Sequence, residues 1–125
     1  VHVSRVAVIC LDVPTEDRER AEAFWSGAVG RGAERATNMP EYTVLGDDPG
    51  HRLLLQEIGE GAARIHLDIH TDDRDAEVRR LLALGATREA QAGDWVVLRD
   101  PAGLLVCVVP VPSDDPTLRG AARWP

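Results

Sequence analysis

The sequence predicts an α+β fold made of two tandem β-α-β-β-β modules, and two observations carry that expectation. The first is an internal repeat. Shifted by 56 positions, the run from Ile9 to Arg18 (ICLDVPTEDR) lies on the run from Ile65 to Arg74 (IHLDIHTDDR), with six of the ten pairs identical. Self-similarity at so long a period signals a duplicated supersecondary unit, and two copies are too few for a solenoid. They are expected to pair into one pseudo-symmetric domain spanning residues 1–125. The second observation is the pattern downstream of each copy: a stretch with helical spacing, then short apolar runs parted by turn residues.

Residues 4–13 alternate as a strand. Val6, Val8, Cys10 and Asp12 fall on one side, and Ala7, Ile9, Leu11 and Val13 on the other. Pro14 ends it, and Thr15 reads as a helix N-cap with Glu16 and Asp17 in the first turn. Ala21, Phe24, Trp25, Ala28 and Val29 recur at helical spacing as an inward face, and Gly30 stops the helix. A short strand is expected near Glu34 to Thr37, another over Tyr42 to Leu45, and a third over Arg52 to Ile58. The last two are joined by a hairpin turn over Gly46 to Gly50, with His51 solvated at its exit. Gly59-Glu60-Gly61 closes this first module, residues 4–58.

The second module, residues 64–110, repeats the order in fewer residues. Its opening strand puts Ile65, Leu67 and Ile69 on one face as an apolar stripe that should be covered. Arg64, His66, Asp68 and His70 fall on the other, as a pocket wall or wet surface. His70 is expected to be exposed. A helix comes next with Val78, Leu81 and Leu82 inward and Gly85 as its C-cap. Strands are then expected over Thr87 to Gln91, Trp95 to Arg99 and Leu104 to Val109, the last central because it is apolar throughout. Residues 111–125 form a proline-rich tail, either loose or laid across the body with Trp124 as its anchor.

Composition narrows the function. A net charge of −7 with no basic cluster excludes a nucleic-acid footprint. No apolar run approaches the roughly 20 residues that cross a bilayer, and no leader is visible, so no membrane partner and a cytoplasmic location are expected. Cys10 and Cys107, both in apolar strands, are expected to stay reduced. No phosphate loop, nucleophile elbow or Cys-x-x-Cys pair is present. His66 and Asp68 share a strand face about 6 to 7 Å apart along the chain. Such a pair suits general acid–base work, with the carboxylate holding the imidazole tautomer. Asp12 and Asp68, as repeat partners, also suit a structural role as acceptors from backbone at the strand ends. Trp95 either stacks on a flat ligand or fills space on the concave side.

Phe24-Trp25 with Gly30, His66-Leu67-Asp68 and Asp100-Pro101-Ala102-Gly103, set in two such modules, resemble the vicinal oxygen chelate superfamily. Within it the chain is most similar to glyoxalase-like domains, grouped with glyoxalase I, bleomycin-resistance proteins and extradiol dioxygenases. The resemblance covers residues 4–110. It implies a cupped half-barrel of mixed sheet with helices outside, and a small organic molecule bound in the cup. It places the ligand positions at Cys10, Gln56, His66 and Cys107, of which only His66 is of the usual type. The implied protein is a lyase, isomerase or dioxygenase-type enzyme with His66 as catalytic residue, Cys10, Gln56, Asp68, Trp95 and Cys107 around the ligand, and an incomplete metal site. No cofactor is expected, the one metal option being zinc on Cys10, His66 and Cys107. The alternative is a non-catalytic protein that sequesters a drug or metabolite. Relatives of this architecture pair as dimers, so a homodimer is expected, with Gly59 to Ala63 as a linker for module exchange and the edge of Leu104 to Val109 as support.

Overall fold

A computed structural model of the chain describes residues 1–48 and 51–125. The elements are β1 (His2–Val13), a 3-10 turn (Thr15–Asp17), α1 (Arg18–Val29), β2 (Glu34–Arg35), β3 (Tyr42–Asp48) and β4 (His51–Glu57). Then come β5 (Arg64–Thr71), α2 (Arg74–Ala83), β6 (Thr87–Ala92), β7 (Trp95–Arg99), β8 (Leu105–Pro110), a 3-10 turn (Pro116–Leu118) and β9 (Ala122–Trp124). The fold class is α+β, and the order β-α-β-β-β occurs twice. The repeat is visible in the register of the helices, since α1 starts at Arg18 and α2 at Arg74, the 56-residue shift of the sequence. The chain divides into two compact units, residues 8–65 and residues 66–125 with 1–7.

In the first unit β4 pairs parallel with β1 and antiparallel with β3, and β2 borders β3. One face of these strands carries Leu11, Val13, Leu45 and Leu55, all buried, with Ala21 and Trp25 of α1 packed on them. Leu45 reaches this core through a bulge, where Val44 and Gly46 face consecutive residues of β4. The helix begins later than the sequence suggests. Thr15 opens the 3-10 turn, and Asp17 takes the N-cap position of α1. Gly30 ends α1 in the left-handed region at φ 73°, as expected for a C-cap. The inward face of α1 is narrower than its spacing implies. Trp25 is partly buried, while Phe24 is 65% exposed and meets Trp25 edge-on. The expected hairpin turn lies partly outside the described residues, at Pro49 and Gly50. His51 at its exit is exposed.

In the second unit the strand order is β5-β8-β7-β6, with β5 and β8 parallel and the others antiparallel. Val78 of α2 and Val96, Leu98 and Val108 of the strands form the core, with Leu81, Ala86 and Val106 against it. Asp73 caps α2 by accepting from the Ala76 N–H at 3.0 Å. β8 lies between β5 and β7, so it is central, and it offers no edge to a second chain. The stripe expected to be covered is open, with Ile65 58% and Leu67 37% exposed.

The tail lies along its own unit. β9 pairs antiparallel with the start of β1, His2 opposite Trp124. Trp124 Nε1–H donates to Ser4 Oγ at 2.9 Å, and the Arg80 guanidinium sits 3.8 Å above its ring. Beneath them Glu77, fully buried, accepts from Arg80 Nε and Nη2 and from His2 Nε2, each at 2.8 Å.

Candidate functional site

Strand alternation and register assemble one polar face in the second unit. Asp68 of β5 stands opposite Cys107 of β8, which stands opposite Val97 of β7. Residues two apart share a face, so His66 and His70 join Asp68, and Trp95 joins Val97. The core packs on the reverse of this sheet, with α2. The expected division of β5 into an apolar and a chemically equipped side is therefore what the strand shows.

His66 is buried, and its Nε2 lies 3.2 Å from Asp68 Oδ1. That separation is within ion-pair range, yet Asp68 Oδ1 has no hydrogen-bond partner among the described residues. The imidazole lies close to the carboxylate oxygen but off the direction a hydrogen bond needs. Cys107 is buried and reduced, and one ligand atom from each of His66, Asp68 and Cys107 falls within 4.8 Å of the others. Nitrogen, carboxylate oxygen and sulfur are the three ordinary ligand types of zinc, at about 2.0 to 2.3 Å from the ion. Magnesium and calcium favour all-oxygen shells, which this group does not supply. The donors fit a zinc-class cation, and the unpartnered carboxylate oxygen is the atom such an ion would satisfy.

Trp95 is partly buried. Its ring lies against Gly93, where an added Cβ would come within 3.2 Å of Cζ3. His70 departs from expectation. It is 9% exposed, and its Nδ1 lies 2.7 Å from Thr117 Oγ1 in the tail. Burial by the tail is the reason, and periodicity within β5 could not reveal it.

Cys10 and Gln56 lie in the first unit. Cys10 is fully buried and reduced, and its Sγ–H points to Asp12 Oδ1 at 3.6 Å. Gln56 stands opposite Asp12 in the β1/β4 register and is partly buried. Asp12 is buried near the end of β1. It takes a hydrogen bond from Arg64 Nε at 3.0 Å, an ion pair whose carboxylate is 1% exposed. The same unit holds a buried charge network with no counterpart in the sequence expectations. Arg18 donates to Glu57 at 2.9 Å, to the Pro40 carbonyl and to Thr43, while Glu22 accepts from Arg35 and Thr43. The Arg35 hydrogen bond, working against burial and with help from Thr43 and Arg18, pulls the Glu22 carboxyl down to about 2.

A cleft of about 380 Å³ lies on the helix side of the second unit, lined by His2, Asp73, Arg79, Arg80 and Trp124 among others. Its Arg80 is already committed to Glu77, and it is remote from the polar face.

No curated protein sequence matches the chain. Among solved structures, a methylmalonyl-CoA epimerase variant from Streptomyces coelicolor in complex with 2-nitronate-propionyl-CoA aligns with a TM-score of 0.59 at 17% identity, over 89% of this chain and 96% of that one. The methylmalonyl-CoA epimerase from Mycobacterium tuberculosis aligns at 0.51 and 16%, over 86% and 88%. The 2,2',3-trihydroxybiphenyl 1,2-dioxygenase from Sphingomonas wittichii strain RW1 aligns at 0.57 and 12%, over 85% of this chain but 40% of that one. Identities this low establish a shared fold. The sequence itself matches the family model described as glyoxalase-like domain over residues 8–109. The chain belongs to the glyoxalase-like domain family, within the vicinal oxygen chelate superfamily.

Proposed function

We propose that this chain is a small-molecule enzyme whose reactive centre is the group His66, Asp68 and Cys107. One observation carries the reading: a buried carboxylate oxygen, Asp68 Oδ1, without a hydrogen bond beside an imidazole and a thiol. Leaving such an oxygen unsatisfied costs about 1 to 3 kcal/mol or more. A bound cation or a proton-bearing ligand group would recover it. A zinc-class ion held by these three residues would supply Lewis-acid polarisation of a ligand oxygen. The protein's part is to fix the donors on two adjacent strands, with Asp68 opposite Cys107 in register, and to keep bulk water from a buried imidazole. Trp95, on the same face, offers a flat wall for an organic ligand. The epimerase and dioxygenase neighbours are consistent with isomerase or oxygenase chemistry on such a molecule.

Calorimetric zinc titration tests this. Near-stoichiometric binding is expected in the native protein, with loss of at least tenfold in affinity in Asp68→Asn and in Cys107→Ser. Absence of zinc binding would overturn the metal reading and leave His66 as an acid–base group. Once a ligand is found by thermal-shift screening, His66→Ala separates enzyme from sequestering protein. Turnover is abolished in the first case, and affinity is merely weakened in the second.

We further propose a cytoplasmic homodimer that covers the open apolar residues Ile65 and Leu67. Light scattering that gives a mass near 13.6 kDa would contradict it.

A further inference from the structure

The cleft of about 380 Å³ on the helix side of the second unit has one flat wall. There the Arg80 guanidinium lies 3.8 Å over the Trp124 ring, whose one polar group, Nε1–H, is spent on Ser4 Oγ. Arg80 gives Nε and Nη2 to the two oxygens of Glu77, which uses one edge of its fork. A guanidinium has five N–H donors, so three remain, two on Nη1 and one on Nη2. None of the three has a partner among the described residues. Arg79, its neighbour on α2, lines the same cleft. It is exposed, and among the described residues it makes no hydrogen bond or ion pair. Adjacent guanidinium groups repel, and Glu77 offsets only the charge of Arg80. Asp73 also lines the cleft, but it caps α2 and stands about 9 Å before Arg79 along the helix axis. The arginine end of the cleft is therefore cationic, with donors to spare.

We propose that this cleft is a second ligand site, which takes a flat organic acid: a carboxylate on an aromatic or conjugated body. The carboxylate meets Arg79 and the Nη1–Nη2 edge of Arg80, where its two oxygens accept charge-assisted hydrogen bonds. The body lies against the Trp124 indole, which offers a large apolar area. The volume is within the ordinary range of small-molecule sites, about 300 to 1,000 Å³. The site needs neither zinc nor turnover, and it stands apart from the His66 reading.

The test is binding of naphthoate to the full-length protein, followed by calorimetry and by the indole N–H signals in proton–nitrogen NMR spectra. Naphthoate is expected to bind and to shift the Trp124 signal while leaving that of Trp95 in place. Naphthamide keeps the body without the charge, and acetate keeps the charge without the body. Each should bind at least about tenfold more weakly. Arg79→Glu should lose at least about tenfold in naphthoate affinity, and Arg79→Lys less. Arg79 is exposed and holds nothing in the fold, so both variants should keep Tm within about 2 °C of the native protein. Arg80 stays native throughout, because it also holds Glu77. No binding at millimolar naphthoate overturns the proposal, and so does an affinity unchanged in Arg79→Glu. Equal binding of the amide or of acetate, or a shift confined to Trp95, overturns it as well. Failure of zinc binding alongside a shifted Trp124 signal would count against the His66 reading and leave this site in place.

Discussion

Arg80→Ala is the most informative perturbation of stability, because it removes the main partner of a carboxylate that water does not reach. Glu77 has no exposed side-chain surface, and two of its three 2.8 Å hydrogen bonds come from Arg80. Breaking a buried pair from one side costs about 3 to 5 kcal/mol, since the remaining charge stays buried. Arg80 is 25% exposed, and His2 remains as a donor, so the lower end of that range applies, about 3 kcal/mol. At about 2.1 cal/mol/K per residue, 125 residues give an unfolding entropy near 0.26 kcal/mol/K, hence a fall in Tm of about 10 °C. Urea unfolding should show a lower midpoint with an unchanged slope. The pH dependence carries a sign. Burial would raise the Glu77 pKa, but hydrogen bonds from Arg80, His2 and Ser4 outweigh it, and the folded value lies below the ordinary 4.5. The pair's stabilisation is therefore present above pH 4.5 and fades as pH falls below it, so the two proteins should converge in acid. Replacing both partners, Glu77→Leu with Arg80→Met, should recover most of the loss. A loss under 1 kcal/mol, or one undiminished at pH 3, would refute the reasoning.

The first unit offers a parallel case. Glu22 titrates at about 2 instead of 4.5, so it should contribute up to about 3 kcal/mol above pH 4.5, lost progressively toward pH 2. Glu22→Gln should flatten the acid limb of a stability-versus-pH curve, and an unchanged limb would contradict the network. Leu55→Ala empties a fully buried site between β4 and α1 and should cost about 3 to 4 kcal/mol in chemical denaturation. Gly93→Ala meets both a positive φ of 59° and the Trp95 ring, so it should shift Trp95 fluorescence as well as lower Tm.

Much of the fold is legible in the sequence because the repeat and the alternation agree. The 56-residue shift predicts both helices and both sets of strands, and Trp95 to Arg99 falls on β7 residue for residue. Periodicity also puts His66 and Asp68 on one face, since a strand leaves no other choice, and Trp95 joins them through the register of β5, β8 and β7. What it cannot weigh is contact with distant parts of the chain. Phe24 has the spacing of a core residue but is exposed, and so are Ile65 and Leu67, whose alternation calls for cover. His70 and Glu77 look like surface residues until the tail and the first strand arrive. One signal is available in the tail: Asp115-Pro116-Thr117 is a capped turn by its residue types alone, which argues for an ordered segment. The charge network of Arg18, Glu22 and Thr43 has no such signature, because its members are distributed over a helix and a strand.

The pairing of His2 with Trp124 allows a rewiring of the polypeptide. A gene that joins residue 125 to residue 1 would place Pro125 and Val1 between those partners, the length of a two-residue hairpin, which Asn-Gly would turn more readily. Opening the ring at the glycines near 59–61 would leave residues 66–125 running straight into 1–7, so that this compact unit would be a single stretch of chain. A circular permutant of this kind should fold with fewer long-range closures than the native order requires.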